Sequence, residues 1–243
     1  MKPIDYISLA SSLAALFSSL IALLTLFEMR AQRRNSLRPE IVIKRSYIYL
    51  FWEEEGKGDL PINWYNNNDS ARSKNSTQKY TLRIINIGLQ TAKDLTVEWQ
   101  YDINKFIDLI HKYNDDNLYR IEVSDSKWLN IKSKNGDQGI NLKNDLSEYL
   151  GFMGTGKNDD ECLYLDVPIS LQTLISVLLS LCDSSNGKVL EYQPEISLIL
   201  QYKDISGKEY SKTIKLLFSV SAFHIKYKPA EYAGSALLKE IDI

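Results

Sequence analysis

Few residues in this 243-residue chain have the type and spacing to do chemistry. Gly151-Phe152-Met153-Gly154-Thr155-Gly156-Lys157 matches the opening of a phosphate-binding loop, GxxxxGK, in which backbone amides cradle phosphate and the lysine neutralises it. The next position is Asn158, where a Ser or Thr would hold magnesium, and the acids Asp159, Asp160 and Glu161 stand where a helix should start. Without a strand before and a helix after, the amides are not aimed at phosphate, and a glycine-rich turn accounts for the residues. Three consecutive acids point in different directions and read as a solvated loop, not a metal site. His111 and His224 have no nucleophile or metal partner at recognisable spacing. Cys162 and Cys182 show no paired metal-type spacing and suit a reducing compartment as small buried hydrophobes. No catalytic, cofactor or metal set is expected, and the chain reads as a non-enzyme.

The dominant element is Tyr6 to Phe27, 22 residues without a charge. As a helix it reaches about 33 Å, enough to cross the roughly 30 Å hydrocarbon core of a bilayer. A cleaved signal peptide would want a basic start, a shorter apolar core and a small-residue cleavage site, whereas this run leads straight into Arg30, Arg33, Arg34 and Arg38. Those arginines place the C-terminal flank in the cytoplasm, with the N-terminus outside, and offer contacts to anionic headgroups. The expected location is the bacterial inner membrane, spanned once. The helix should run on to about Asn35 and stop before Pro39, which disfavours helix in Arg38.

One face of this segment is lined with small side chains. Ser8, Ser12, Ala15, Ser19 and Ala22 alternate fours and threes, as do Ser11, Ala15, Ser18, Ala22 and Thr25. Such a stripe lets helix backbones approach closely in lipid, so the anchor is expected to meet copies of itself. The competing account is that the serines bond back to their own helix one turn earlier.

Composition bounds the remainder. Length allows an anchor (1–36) and one substantial domain (37–229), followed by a tail (230–243). A formal net charge of −2 supplies no basic field for obligatory nucleic-acid binding, so the partners expected are the bilayer, further copies of the chain and a protein on the cytoplasmic domain. The glycosylation patterns at Asn68 and Asn75 would be silent in a cytoplasmic loop.

The domain reads as mainly β. Glu40 to Trp52 is dense in β-branched and aromatic residues and predicts one strand, and Asn63 to Thr77 predicts a polar surface loop. Tyr80 to Asn86 is a strand, Gly88 a turn, and the segment from Asp94 a second strand with Leu95, Val97 and Trp99 on one face. A hairpin follows near the C-terminus, with strands from Glu195 and Tyr210 around a turn containing Gly207. Between these blocks lie an amphipathic helix over 104–113, a strand pair near 118–123 and 127–133, and an apolar helix over 171–182 with Ser170 as N-cap. About 18 Å of helix is too short to cross a bilayer, so 171–182 reads as a core helix, with an interfacial segment as the alternative. The tail predicts a short helix around Ser235 to Ile241.

Asn86-Ile87-Gly88 with Ala92 and Leu95, and Tyr202-x-Asp204-x-x-Gly207-x-x-Tyr210, resemble membrane-tethered bacterial proteins with an immunoglobulin-like β-sandwich. That resemblance spans about residues 37–101 and 190–228 and implies a fold, not an activity. The wider plan, a short anchor on a cytoplasmic sensing domain, is similar to membrane effectors of antiphage systems, including some retron systems. It implies a non-enzymatic effector that perturbs the membrane through its anchor; a passive tethered binding module is the alternative.

Overall fold

The computed structural model describes residues 3–53, 63–65, 80–114, 118–125, 127–133, 136–142, 146–156, 162–181, 191–225 and 231–240. Asn68, Asn75, Lys157, Asp159 to Glu161 and Cys182 lie outside them. Helix α1 (Pro3–Ser36) is continuous over 34 residues, roughly 51 Å at 1.5 Å per residue. Its window Ser11–Arg33 has a mean hydropathy of 1.9 and buries nothing against the rest of the chain. It is long and apolar enough to cross a membrane.

The described remainder is mainly β and antiparallel throughout. One small sheet joins β1 (Ile41–Lys44), β4 (Thr81–Asn86) and β10 (Leu163–Asp166), with β4 in the middle. The large sheet contains β2 (Ser46–Glu53), β3 (Asn63–Tyr65), β5 (Ala92–Tyr101), β9 (Ser147–Met153), β11 (Ile196–Lys203), β12 (Glu209–Ile225) and β13 (Glu231–Glu240), in the order β3-β2-β13-β12-β11-β5-β9. A third sheet is the meander of β6 (Tyr119–Ser124), β7 (Trp128–Ser133) and β8 (Gly136–Asn141). Ile41, Leu82, Ile84 and Leu165 of the small sheet share one core with Val97, Trp99, Leu198, Leu200, Leu216 and Phe218 of the large one. The meander adds Ile121, Leu129, Ile131 and Ile140 to the same core.

Helix α2 (Ile103–Tyr113) starts where the Asp102 side chain accepts the amides of Asn104 and Lys105, and it buries Phe106, Ile107, Leu109 and Ile110. Helix α3 (Ile169–Ser180) is buried from Ser170 through Leu179, as a core helix should be. Its polar side chains find partners there: Gln172 donates to Val167 O at 2.7 Å, Thr173 to Ile169 O at 2.7 Å, and Ser176 accepts the Trp64 indole N–H at 2.9 Å. Ser170 does not cap it. Pro168 holds the cap position without a side-chain bond, and the Ser170 hydroxyl pairs with Tyr101 Oη at 2.6 Å.

Three further expectations are corrected. The single strand over 40–52 is two strands in different sheets, broken at Arg45. Buried Ile41 and buried Ile48 are an odd number of residues apart, so an unbroken strand would send them to opposite faces. Changing sheets lets both reach the core. The polar segment from Asn63 opens with an edge strand, and Trp64 is buried and stacked on Phe218 at 5.2 Å. Finally, the tail is not a helix. β13 pairs with β12 on one side and β2 on the other, and Leu238 is buried. Two backbone ladders outweigh the modest propensity of so short a helix.

Candidate functional site

The two sequence patterns that mark the fold converge on the segment that leaves α1. The Leu37 amide still donates to Arg33 O at 3.1 Å, and then the helix gives way to Arg38, Pro39 and Glu40. Each backbone step beyond it is held by the β domain. Tyr202 Oη donates to Pro39 O at 3.3 Å. The Glu40 amide donates to Asn86 Oδ1 at 3.0 Å, and Glu40 O accepts the Ile87 amide at 2.8 Å. Lys212 Nζ donates to Ile41 O at 3.0 Å, and Ile41, fully buried, pairs with Asn86 across the β1–β4 ladder. Burying an isoleucine of this kind stabilises by about 1.5–3 kcal/mol.

Asn86 is buried at the end of β4 and uses its whole amide. Besides the Glu40 amide, its Oδ1 accepts the Gly88 amide at 3.1 Å, and its Nδ2 donates to Gln90 O at 2.7 Å and to Met153 O at 3.5 Å. A residue with one fewer donor or acceptor would leave a buried backbone group unpaired. Gly88 completes the contact. A Cβ there would fall closer than 3.0 Å to Arg38 O, Glu40 N and Pro39 C. The turn expected at Gly88 is present as a bend, but its glycine is required by this close approach and not by a positive φ.

The second pattern is a single hydrogen-bonded unit at the tip of the β11–β12 hairpin. Asp204 Oδ1 accepts the Ser206 amide at 2.8 Å, the Ser206 hydroxyl and the Lys208 amide at 3.0 Å, while Oδ2 accepts Tyr210 Oη at 3.1 Å. Tyr210 stacks on Tyr202 at 5.5 Å, which aims the Tyr202 hydroxyl at Pro39. Gly207 closes the turn with φ +86°, as its place in the sequence predicts. Burial raises the Asp204 pKa, but the bonds from Ser206, Lys208 and Tyr210 outweigh it and hold the carboxyl below its ordinary range. Burial pushes the Tyr202 and Tyr210 hydroxyls up, with nearby Arg38 opposing in both cases. Arg38 therefore stands beside this tyrosine pair.

The other sequence candidates are not drawn into this joint. Arg30, Arg33 and Arg34 lie in the last turns of α1. Ser8, Ser11, Ser12, Ala15, Ser18, Ser19 and Ala22 lie along α1, where Ser18 donates to Ala14 O at 2.9 Å and Ser19 to Leu16 O at 2.8 Å. Gly151 to Met153 belong to edge strand β9, so the GxxxxGK match does not open from strand to helix. Its one tie to the joint is the Gly156 amide, which donates to Asn86 O at 3.2 Å. His111 is exposed on α2, and Cys162 is buried as a free thiol. Among the described residues no group of three or more His, Cys, Asp and Glu side chains could hold a metal. A shallow depression of about 470 Å³ beside the joint is lined by Tyr202, Lys203, Glu209 and Tyr210 among others.

Sequence reading identified Asn86, Gly88, Asp204, Gly207 and Tyr210 as marks of a fold but missed that Asn86, Tyr202 and Lys212 grip the segment below the anchor. Tyr202 and Pro39 are 163 positions apart, and no spacing rule joins them. The clue available was that both patterns need buried polar partners, which neither contains. No family model, curated protein or solved structure matches the chain.

Proposed function

We propose that this chain is a non-enzymatic effector of the bacterial inner membrane, with its C-terminal domain in the cytoplasm. In this reading an immunoglobulin-like sandwich receives a protein signal and copies of the anchor associate along the small-residue stripe. The rearranged anchors then perturb the membrane, as in antiphage defence that ends in abortive infection. The observation that carries the reading is the joint. Pro39, Glu40 and Ile41 are each fixed to the β domain by hydrogen bonds, directly below a membrane-length helix. A protein that merely localises a binding module works through a flexible linker. A rigid joint serves a device in which a change in the domain must reorient the anchor, because coupling needs a stiff physical connection. The small-residue stripe supports the association step, since its Ser18 and Ser19 hydroxyls are already satisfied within the helix and leave a low surface for close packing.

The test uses full-length protein in bacterial cells with a potential-sensitive dye. One variant carries an insertion of about six Gly and Ser residues between Ser36 and Leu37, a flexible coil that breaks the coupling. A second replaces Ser12, Ala15 and Ser19 with Leu, and a control replaces Leu9, Leu16 and Leu23 with Ile. Wild type and control are expected to depolarise the membrane on overproduction, while the first two variants insert and do not. A harmless wild type, or a spacer variant as damaging as wild type, replaces the effector with a passive tether.

A further inference from the structure

The domain ends beside the anchor in two loops whose tips are apolar and exposed. Ile87 and Leu89, in the β4–β5 turn, are 51% and 63% exposed, and Ile205, at the β11–β12 tip, is 57% exposed. Single exposed apolar residues are ordinary. These three are grouped by the joint: Ile87 bonds to Glu40, and the hairpin that carries Ile205 holds Pro39 through Tyr202. Exposed Arg38 and Lys208 stand on the same two features, and the Lys208 ammonium lies 5.2 Å above the Tyr210 ring.

Chain length fixes how far this end can be from lipid. The apolar window of α1 closes at Arg33. Three more helical residues and three extended ones reach Pro39, a path of at most about 15 Å. The headgroup layer itself is roughly 5–8 Å deep on each side of the hydrocarbon. An ordinary tilt of the helix shortens the remaining gap. Because Pro39 and Glu40 are clamped to the two loops, those loops cannot swing away from the surface that α1 leaves.

We propose that this end of the β domain is a membrane-docking surface, in which Ile87, Leu89 and Ile205 enter the headgroup boundary while Arg38 and Lys208 meet anionic lipid phosphates. Apolar tips flanked by cations are the chemistry of interfacial binding, in which buried apolar area and attraction to anionic lipid add together. The domain then lies against the leaflet, and its position relative to the bilayer is set at three points: the anchor and the two loops.

The inference rests on α1 spanning the bilayer, and the experiment separates the two. Full-length protein lacking Cys162 and Cys182 is placed in nanodiscs of phosphatidylcholine, with or without phosphatidylglycerol. A nitroxide label is attached after Leu89→Cys, Ile205→Cys, Leu20→Cys or Tyr192→Cys. Tyr192 is exposed and precedes β11, whose 8 residues put it at the far end of the strand from Asp204. Accessibility to oxygen relative to a water-soluble nickel chelate reports depth. Labels at 89 and 205 are expected to show a several-fold higher ratio than the label at 192, and a ratio that falls in neutral nanodiscs. Ratios at 89 and 205 equal to that at 192, with 20 deep in lipid, overturn the docking surface and leave the anchor. A label at 20 that is not in lipid overturns both. Equal ratios in the two lipids overturn the role given to Arg38 and Lys208.

Discussion

Gly88 lacks a side chain because the backbone of Arg38, Pro39 and Glu40 fills the space where a Cβ would sit. At Gly207 the space is open and only the positive φ asks for glycine. Alanine should separate the two. Gly207→Ala is expected to cost about 1–2 kcal/mol, the ordinary penalty of a left-handed conformation. Gly88→Ala forces backbone apart and should cost up to about 3 kcal/mol, as overpacking does. Only Gly88→Ala should also speed amide exchange at Glu40, because it opens the joint locally. Urea melts and hydrogen exchange check both statements. Asp204 supplies a pH test. Its folded-state pKa is depressed, so its contribution to stability is present above the unfolded-state value of about 3.9 and is lost as pH falls through the folded one. Asp204→Asn should be less stable than wild type at neutral pH, and the deficit should shrink below about pH 4. A deficit independent of pH would mean that the carboxylate is not what the hairpin tip requires.

At the scale of elements, legibility followed how locally each segment is determined. α2 was readable because its apolar spacing and its Asp102 cap lie within the segment itself. The β11–β12 hairpin was readable because turn chemistry and alternation agree over adjacent residues. The tail was not. Ser235 to Glu240 looks helical by propensity, and its strand state is imposed by β2 and β12, which the local sequence does not contain. The break at Arg45 was visible in principle, in the change of parity between Ile41 and Ile48, but only to a reader who already knew that both are buried. β8 was missed altogether: Gly136 to Asn141 is polar, with Gly139 in its interior, and only Ile140 is buried. Its strand state comes from pairing with β7. The joint was illegible for the same reason, since its parts come from β1, β4, β11 and β12.

The whole molecule depends on β13 as a middle strand of its large sheet. A fragment spanning 37–243 is therefore expected to melt cooperatively with a mainly β circular dichroism spectrum, and one spanning 37–229 to show no cooperative transition. A sharp melt of the shorter fragment would show that β2 and β12 hold together without the strand between them. There is also a consequence for biosynthesis. The anchor is made first and β13 after every other strand described, so β2, paired Ser46↔Leu238 with β13, waits through nearly the whole of translation for its neighbour. During that time α1 would already sit in lipid, with the domain unfinished at the membrane surface and two strand edges unpaired. Such edges recruit other chains, including sister copies on the same bilayer. The period of synthesis, and not the finished fold, is when this protein is most exposed to the wrong partner, and chaperone supply near the membrane should govern its yield.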